Sequence, residues 1–181
     1  MHPNQSESSS KILQFYLNIA PDPSGRMLSF IWQQDYVWLE KTHDYIQWLF
    51  PLQDRSRFNP NAPILTEVDI HHFKTSPEIK QNLQRSLDLM LVFYGLKRQP
   101  SAVVIAVDLN SFADRKKQWL HWGNHNHMRI TRILKSLSLL GMEAYAKAFF
   151  DCLQQIYIME SGSITRLTFS YWQEASQIIP R

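Results

Sequence analysis

Glycine is scarce in this chain, with five in 181 residues, at positions 25, 95, 123, 141 and 162. No two lie close together. A P-loop and a dinucleotide fingerprint both need paired glycines a few residues apart, so neither phosphate cradle can be built. Cysteine is rarer still. Cys152 stands alone, which excludes an internal disulfide and a thiolate metal site and fits a reducing compartment. The longest aliphatic run, residues 102–107, is far below the roughly 20 residues of a membrane span. The N-terminal MHPNQSESSSK lacks the apolar stretch of a signal peptide. The expectation is a soluble, cytoplasmic protein whose residues 1–10 form a disordered tail.

What is present argues for a folded core. Hydrophobic residues make up 44% and charged residues 19%, outside the range of intrinsic disorder. Nineteen Lys and Arg against sixteen Asp and Glu leave +3, a mild basic excess. Its distribution is uneven. Residues 35–78 hold seven acids and four bases, whereas residues 111–135 hold six bases and only Asp114. A bipolar molecule results if the two segments face opposite ways.

The hydrophobic periodicity is helical almost throughout. Residues 35–50 (DYVWLEKTHDYIQWLF) place Trp38, Leu39, Thr42, Tyr45, Ile46 and Leu49 on one face of a single helix. Thr66 with Asp69 has capping-box spacing, and Ser76-Pro77-Glu78 is a strong start signal for a helix that Gly95 closes. Residues 53–65 read as a proline- and asparagine-rich surface loop. Residues 101–110 (SAVVIAVDLN) resemble a strand, but no second strand-like run exists to pair with it, so an extended or partly helical connector is expected. A helix over 124–140 carries Ile130, Ile133, Leu134, Leu137 and Leu140 as a stripe. The fold expectation is all-α, one helical domain over 11–181 with six to eight helices.

Three segments, THDYIQWLFPL (residues 42–52), FNPNAP (58–63) and NHNHMRITRILKSL (124–137), together with FYLN (15–18), resemble the opioid growth factor receptor family domain. The likeness covers most of residues 12–150. It implies a helical domain that in vertebrate members sits within a larger, nuclear-associated, enkephalin-binding protein. The length of this chain is similar to stand-alone bacterial members without the repeat-rich C-terminal tail. The resemblance transfers no catalytic residue.

The segment 124–137 gives the best physical argument for a site. On a helix, His125, Arg129 and Arg132 fall at i, i+4 and i+7, opposite the apolar stripe and near the positive helix end. Two guanidiniums and an imidazole suit phosphate or carboxylate. The alternative is a solvated basic face, or arginines tied to acidic neighbours such as Asp44. His43, Trp48, Asn59, Asn61 and Asn126 complete the candidate surface. On it, Arg129 and Arg132 hold an anionic group of a peptide, protein or small ligand, Trp48 stacks on it and the amides orient it. Trp48 has packing as its other reading, and Asn59 and Asn61 have loop stiffening.

Competing chemistries are weaker. His43 or His125 could serve as general acid–base in an enzyme acting on a phosphate-bearing substrate. Trp119 and Trp122 beside the 111–135 basic segment could stack on nucleic-acid bases. His121 and His125 have metal-ligand spacing, but Gly123-Asn124 interrupts the helix between them and no HExxH arrangement exists, so no metal and no cofactor are expected. Cys152 reads as a core residue.

Overall fold

The computed structural model of the protein describes residues 10–177, so the expected tail lies outside it except for Ser10. Ser10 opens the fold. Its hydroxyl accepts from Leu13 N–H as the N-cap of α1 (Lys11–Tyr16) and donates to the carboxylate of Asp69. Two single-turn or short helices follow, α2 (Leu28–Ile31) and α3 (Tyr36–Lys41), and then α4 (Ile46–Leu49). After a loop come α5 (Glu67–Thr75) and the long α6 (Pro77–Tyr94). A two-stranded hairpin, β1 (Leu96–Arg98) and β2 (Ile105–Val107), leads to α7 (Phe112–Trp119), α8 (Asn126–Leu139), α9 (Glu143–Met159) and α10 (Arg166–Ser176).

The protein is helical, with ten helices among the described residues in place of six to eight. Two events account for the difference: the apolar segment 27–32 closes one helical turn, and the helix expected over 35–50 divides into α3 and α4. The connector expected over 101–110 is also corrected. Its residues 105–107 pair antiparallel with β1 in the register Leu96↔Val107, Lys97↔Ala106, Arg98↔Ile105. The partner strand reads Leu-Lys-Arg, three residues with no alternation to announce it.

The signals at the helix ends behave as their chemistry requires. Thr66 and Asp69 form a reciprocal capping box, and Ser76 caps α6 with Pro77 in its first turn. Gly95 ends α6 in the left-handed region at φ +77°, where a Cβ would stand 2.8 Å from the Cα of Phe112. The buried side chains form one connected cluster, with Ile130, Ile133, Leu134, Leu137 and Leu140 of the α8 stripe all inside it. Helix α8 lies against α9 and α10 along that stripe. Trp172 on α10 is fully buried and donates its indole N–H to the carbonyl of His127 at 3.0 Å. No described helix is long and apolar enough to cross a membrane.

Candidate functional site

The division of the 35–50 segment creates the site. Asp35 caps α3 by accepting from Trp38 N–H at 2.8 Å, and the helix stops at Thr42, whose backbone is extended (φ −91°, ψ 130°). A helix that ends leaves its last carbonyls without partners. Here Arg129 reaches across from α8 and takes them. Its Nη1 donates to Leu39 O at 2.9 Å and its Nη2 to Thr42 O at 2.8 Å, with Glu40 O at 3.5 Å. The cation thereby meets the negative end of α3, and it also lies 5.5 Å from the centroid of the Tyr45 ring. Asn126 supports it from one turn away, accepting at 3.2 Å through Oδ1 while Nδ2 donates to Glu40 at 3.1 Å.

Arg129 is therefore buried, at 6% exposure, and α8 does not present it on a solvated basic face. Nor does Asp44 serve as its acidic partner: Asp44 is held by Arg26 at 2.8 Å and by Ser24 at 3.0 Å. The carboxylate that meets the α8 residues is Glu40, 4.0 Å from Arg129 and 3.3 Å from His125. At this point the acid-rich and base-rich segments touch, which corrects the bipolar expectation.

Two histidines stand above this anchor. His43 is exposed, and its Nδ1 lies 3.2 Å from Arg129 Nη2. A guanidinium can only donate, so in this contact Nδ1 is the acceptor. The His125 ring meets His43 edge-on with centroids 5.4 Å apart. Burial lowers the His125 pKa below the usual histidine value, the Glu40 carboxylate opposes that, and Arg129, His43 and His121 push it further down. Its Nε2 is buried and makes no hydrogen bond, because the nearby Glu40 oxygen is out of alignment.

Arg132 differs from Arg129 in every respect. Its Nε donates to Phe50 O at 2.8 Å, at the end of α4, but its Nη2 is buried without a hydrogen-bond partner. Burial, with no charged neighbour acting on it, pushes its pKa down to about 10, so it remains a cation at neutral pH. Between these groups lies an open cavity of about 340 Å³. Helix α8 lines it with His125, Met128, Arg129 and Arg132, the α3–α4 region with His43, Ile46 and Gln47, and the following loop with Ser56 and Phe58.

Four of the eight residues singled out in the sequence, His43, His125, Arg129 and Arg132, thus come together at one concavity. The other four do not line it. Trp48 takes its packing alternative, buried against Phe15 with ring centroids 5.2 Å apart. Asn126 is fully buried behind Arg129. Asn59 ties the loop to α4, its Nδ2 donating to Asp44 O and to Gln47 Oε1, both at 3.3 Å, and its Oδ1 accepts from Asn61 N–H. The Asn61 side chain is exposed beside that turn.

Glu40, Met128 and Phe58 are residues that sequence reasoning passed over. Met128 lies on the same helical face as His125 and Arg132 and was readable from spacing. Phe58, 79% exposed on an aperiodic loop, sends no sequence signal, and Glu40 meets α8 only because α3 ends there. Elsewhere, Trp119 is fully buried and donates to Tyr94 O at 3.0 Å, out of reach of a nucleic-acid base. Trp122 is 75% exposed. Among the described residues no three His, Cys, Asp or Glu side chains converge as metal ligands.

The model of the conserved region of the opioid growth factor receptor matches residues 5–174, which includes every residue of this cavity. The chain belongs to the opioid growth factor receptor family. It is 40% identical over 137 residues to the opioid growth factor receptors of Rattus norvegicus and Homo sapiens, covering 74% of this chain and 23% and 20% of those proteins. It is 35% identical over 153 residues to the opioid growth factor receptor-like protein 1 of Xenopus tropicalis, covering 82% of this chain and 28% of that relative. The chain thus spans only a fifth to a little over a quarter of these family members. No solved structure matches it.

Proposed function

We propose that this family member is a non-enzymatic, receptor-like binding domain whose ligand presents an anionic group to Arg132. The observation that carries the reading is a guanidinium lining an open cavity with one buried nitrogen unpartnered and no carboxylate beside it. A buried donor without a partner is costly, and an oxyanion on Nη2 would satisfy it while offsetting the charge. Arg129 holds the cavity wall in place, since both of its terminal nitrogens are engaged at the end of α3. The names of the relatives, opioid growth factor receptor and opioid growth factor receptor-like protein 1, agree with a binding role and leave the ligand open to a peptide, a protein or a small anion.

Thermal shift with a panel of carboxylates and phosphates tests this. A dose-dependent stabilisation that Arg132→Gln loses, while the variant melts like the parent, is the expected result. An anion affinity that Arg132→Gln leaves intact overturns it.

A second reading rests on the proximity of His125 and Glu40, 3.3 Å apart at the cavity. In an enzyme acting on a phosphate-bearing substrate, neutral His125 would be the general base and Glu40 would orient it. Turnover of a phosphomonoester that His125→Asn abolishes would favour that class, and no turnover above the uncatalysed rate would remove it.

A further inference from the structure

The cavity has two polar ends and an apolar middle. Arg132 and His125 are seven residues apart on α8, which separates their Cα atoms by roughly 10 Å along the helix axis. At one end Nη2 of Arg132 is buried without a partner, and at the other Nε2 of His125 is buried without a hydrogen bond, 3.3 Å from the Glu40 carboxylate. The apolar part of the lining is Ile46, Met128 and Phe58, beside the polar Gln47 and Ser56, and Met128 and Phe58 are well exposed at 59% and 79%. Large apolar side chains left open to water beside a cavity gain from contact with an apolar ligand surface. A small hydrated anion cannot span both ends and leaves that wall wet.

We propose that the cavity takes an extended amphipathic anion, with one carboxylate or phosphate head on Arg132 and an apolar body of about ring size laid over Ile46, Met128 and Phe58. This rests on the anion reading above and adds the body to the head. The distal end of such a ligand reaches His125, whose uncharged ring accepts or donates one hydrogen bond according to its tautomer. The size of the cavity, about 340 Å³, suits a small molecule or one terminal residue of a longer chain.

The experiment is calorimetric titration of the full chain at pH 7 with four probes: 3-phenylpropanoate, phenyl phosphate, acetate and inorganic phosphate. The expected result is that at least one ring-bearing probe binds about tenfold or more tightly than its ringless counterpart. Which ring-bearing probe binds more tightly identifies the head. Phe58→Ala, a change on an exposed loop that leaves the core untouched, is expected to abolish most of the ring preference, and Arg132→Gln to weaken both ring-bearing probes. If ringless anions bind equally well and still depend on Arg132, the amphipathic inference is overturned and the anion reading stands. If no probe depends on Arg132, both fall.

Discussion

Two arginines on one face of α8, three residues apart, should respond very unequally to the same substitution. In Arg129→Gln the side chain keeps two donors in place of five. The native guanidinium makes hydrogen bonds of 3.2 Å or shorter to Leu39 O, Thr42 O, Asn126 Oδ1 and His43 Nδ1. Charged hydrogen bonds contribute about 1.5–3 kcal/mol each, and neighbours in one network do not add fully. Losing two or more, with the Thr42 carbonyl deprived of this donor and Leu39 O left with the Tyr45 hydroxyl alone, costs roughly 3–5 kcal/mol. At about 2–4 °C per kcal/mol for a domain of this size, Tm falls by roughly 6–20 °C.

For Arg132→Gln the balance differs. Both the folded and the unfolded guanidinium are protonated at pH 7, and burial has lowered the folded value from 12.5 to about 10, which opposes folding. At about 1.4 kcal/mol per pKa unit the opposition is ~3 kcal/mol. Glutamine removes it and loses the Nε hydrogen bond to Phe50, about 1.5–3 kcal/mol. The difference is about 0–1.5 kcal/mol in favour of the variant, so Tm stays level or rises by up to about 6 °C. Circular dichroism melts of the two variants side by side make the comparison. Equal destabilisation of both would refute the assignment of Arg129 to the fold and of Arg132 to the cavity.

Three further outcomes follow from the packing. Gly95→Ala forces a Cβ into the left-handed region and against the Phe112 backbone, and should cost ~3 kcal/mol or more by urea denaturation, with an unchanged midpoint contradicting the clash. Burial lowers the pKa of His127 below the usual 6.5, with the Trp119 carbonyl opposing, and His125 is lowered likewise. The folded state then binds fewer protons, so stability is full above pH 6.5 and declines below it by at most about 1.4 kcal/mol per pH unit for each ring. A urea midpoint equal at pH 7.5 and 5.5 would exclude this. Burial raises the Cys152 thiol to about 12, so an aromatic disulfide reagent at pH 8 should modify it only after urea unfolding, and rapid labelling of the folded protein would place the thiol at the surface.

The parts of the fold legible in sequence were those fixed by local chemistry. The capping box at Thr66–Asp69, the Ser76-Pro77 start and the stops at Gly95 and Gly141 depend on residues a few positions apart, and so does the α8 stripe. The helical face carrying His125, Arg129 and Arg132 was legible for the same reason. What periodicity could not report was the partner of each element. The 35–50 segment has one continuous apolar face, yet it breaks, because Arg129 from some 90 residues away stabilises an end at Thr42 and Arg26 holds Asp44 outside the helix. Strand β1 was illegible because three residues suffice for a ladder whose apolar member packs on α6. The loop residue Phe58 reaches the cavity through a turn that Ser56 and Asn59 build by side-chain-to-backbone hydrogen bonds.

The same reasoning explains why a family signature can be mostly structural and still surround a site. THDYIQWLFPL supplies the carbonyls that Arg129 and Arg132 engage, at Thr42 and Phe50, and NHNHMRITRILKSL supplies the two arginines. FNPNAP supplies Asn59, which fastens its loop to α4. The three motifs are therefore parts of one joint, in which two helix ends are held by one helix face. Three carbonyls converge on the two terminal nitrogens of Arg129, whereas one carbonyl meets Arg132, at Nε, and its Nη2 stays buried without a partner. A joint that engages both terminal nitrogens of one guanidinium and neither of the next leaves Arg132 the less committed cation on the cavity, and the anion chemistry proposed for this domain depends on that inequality.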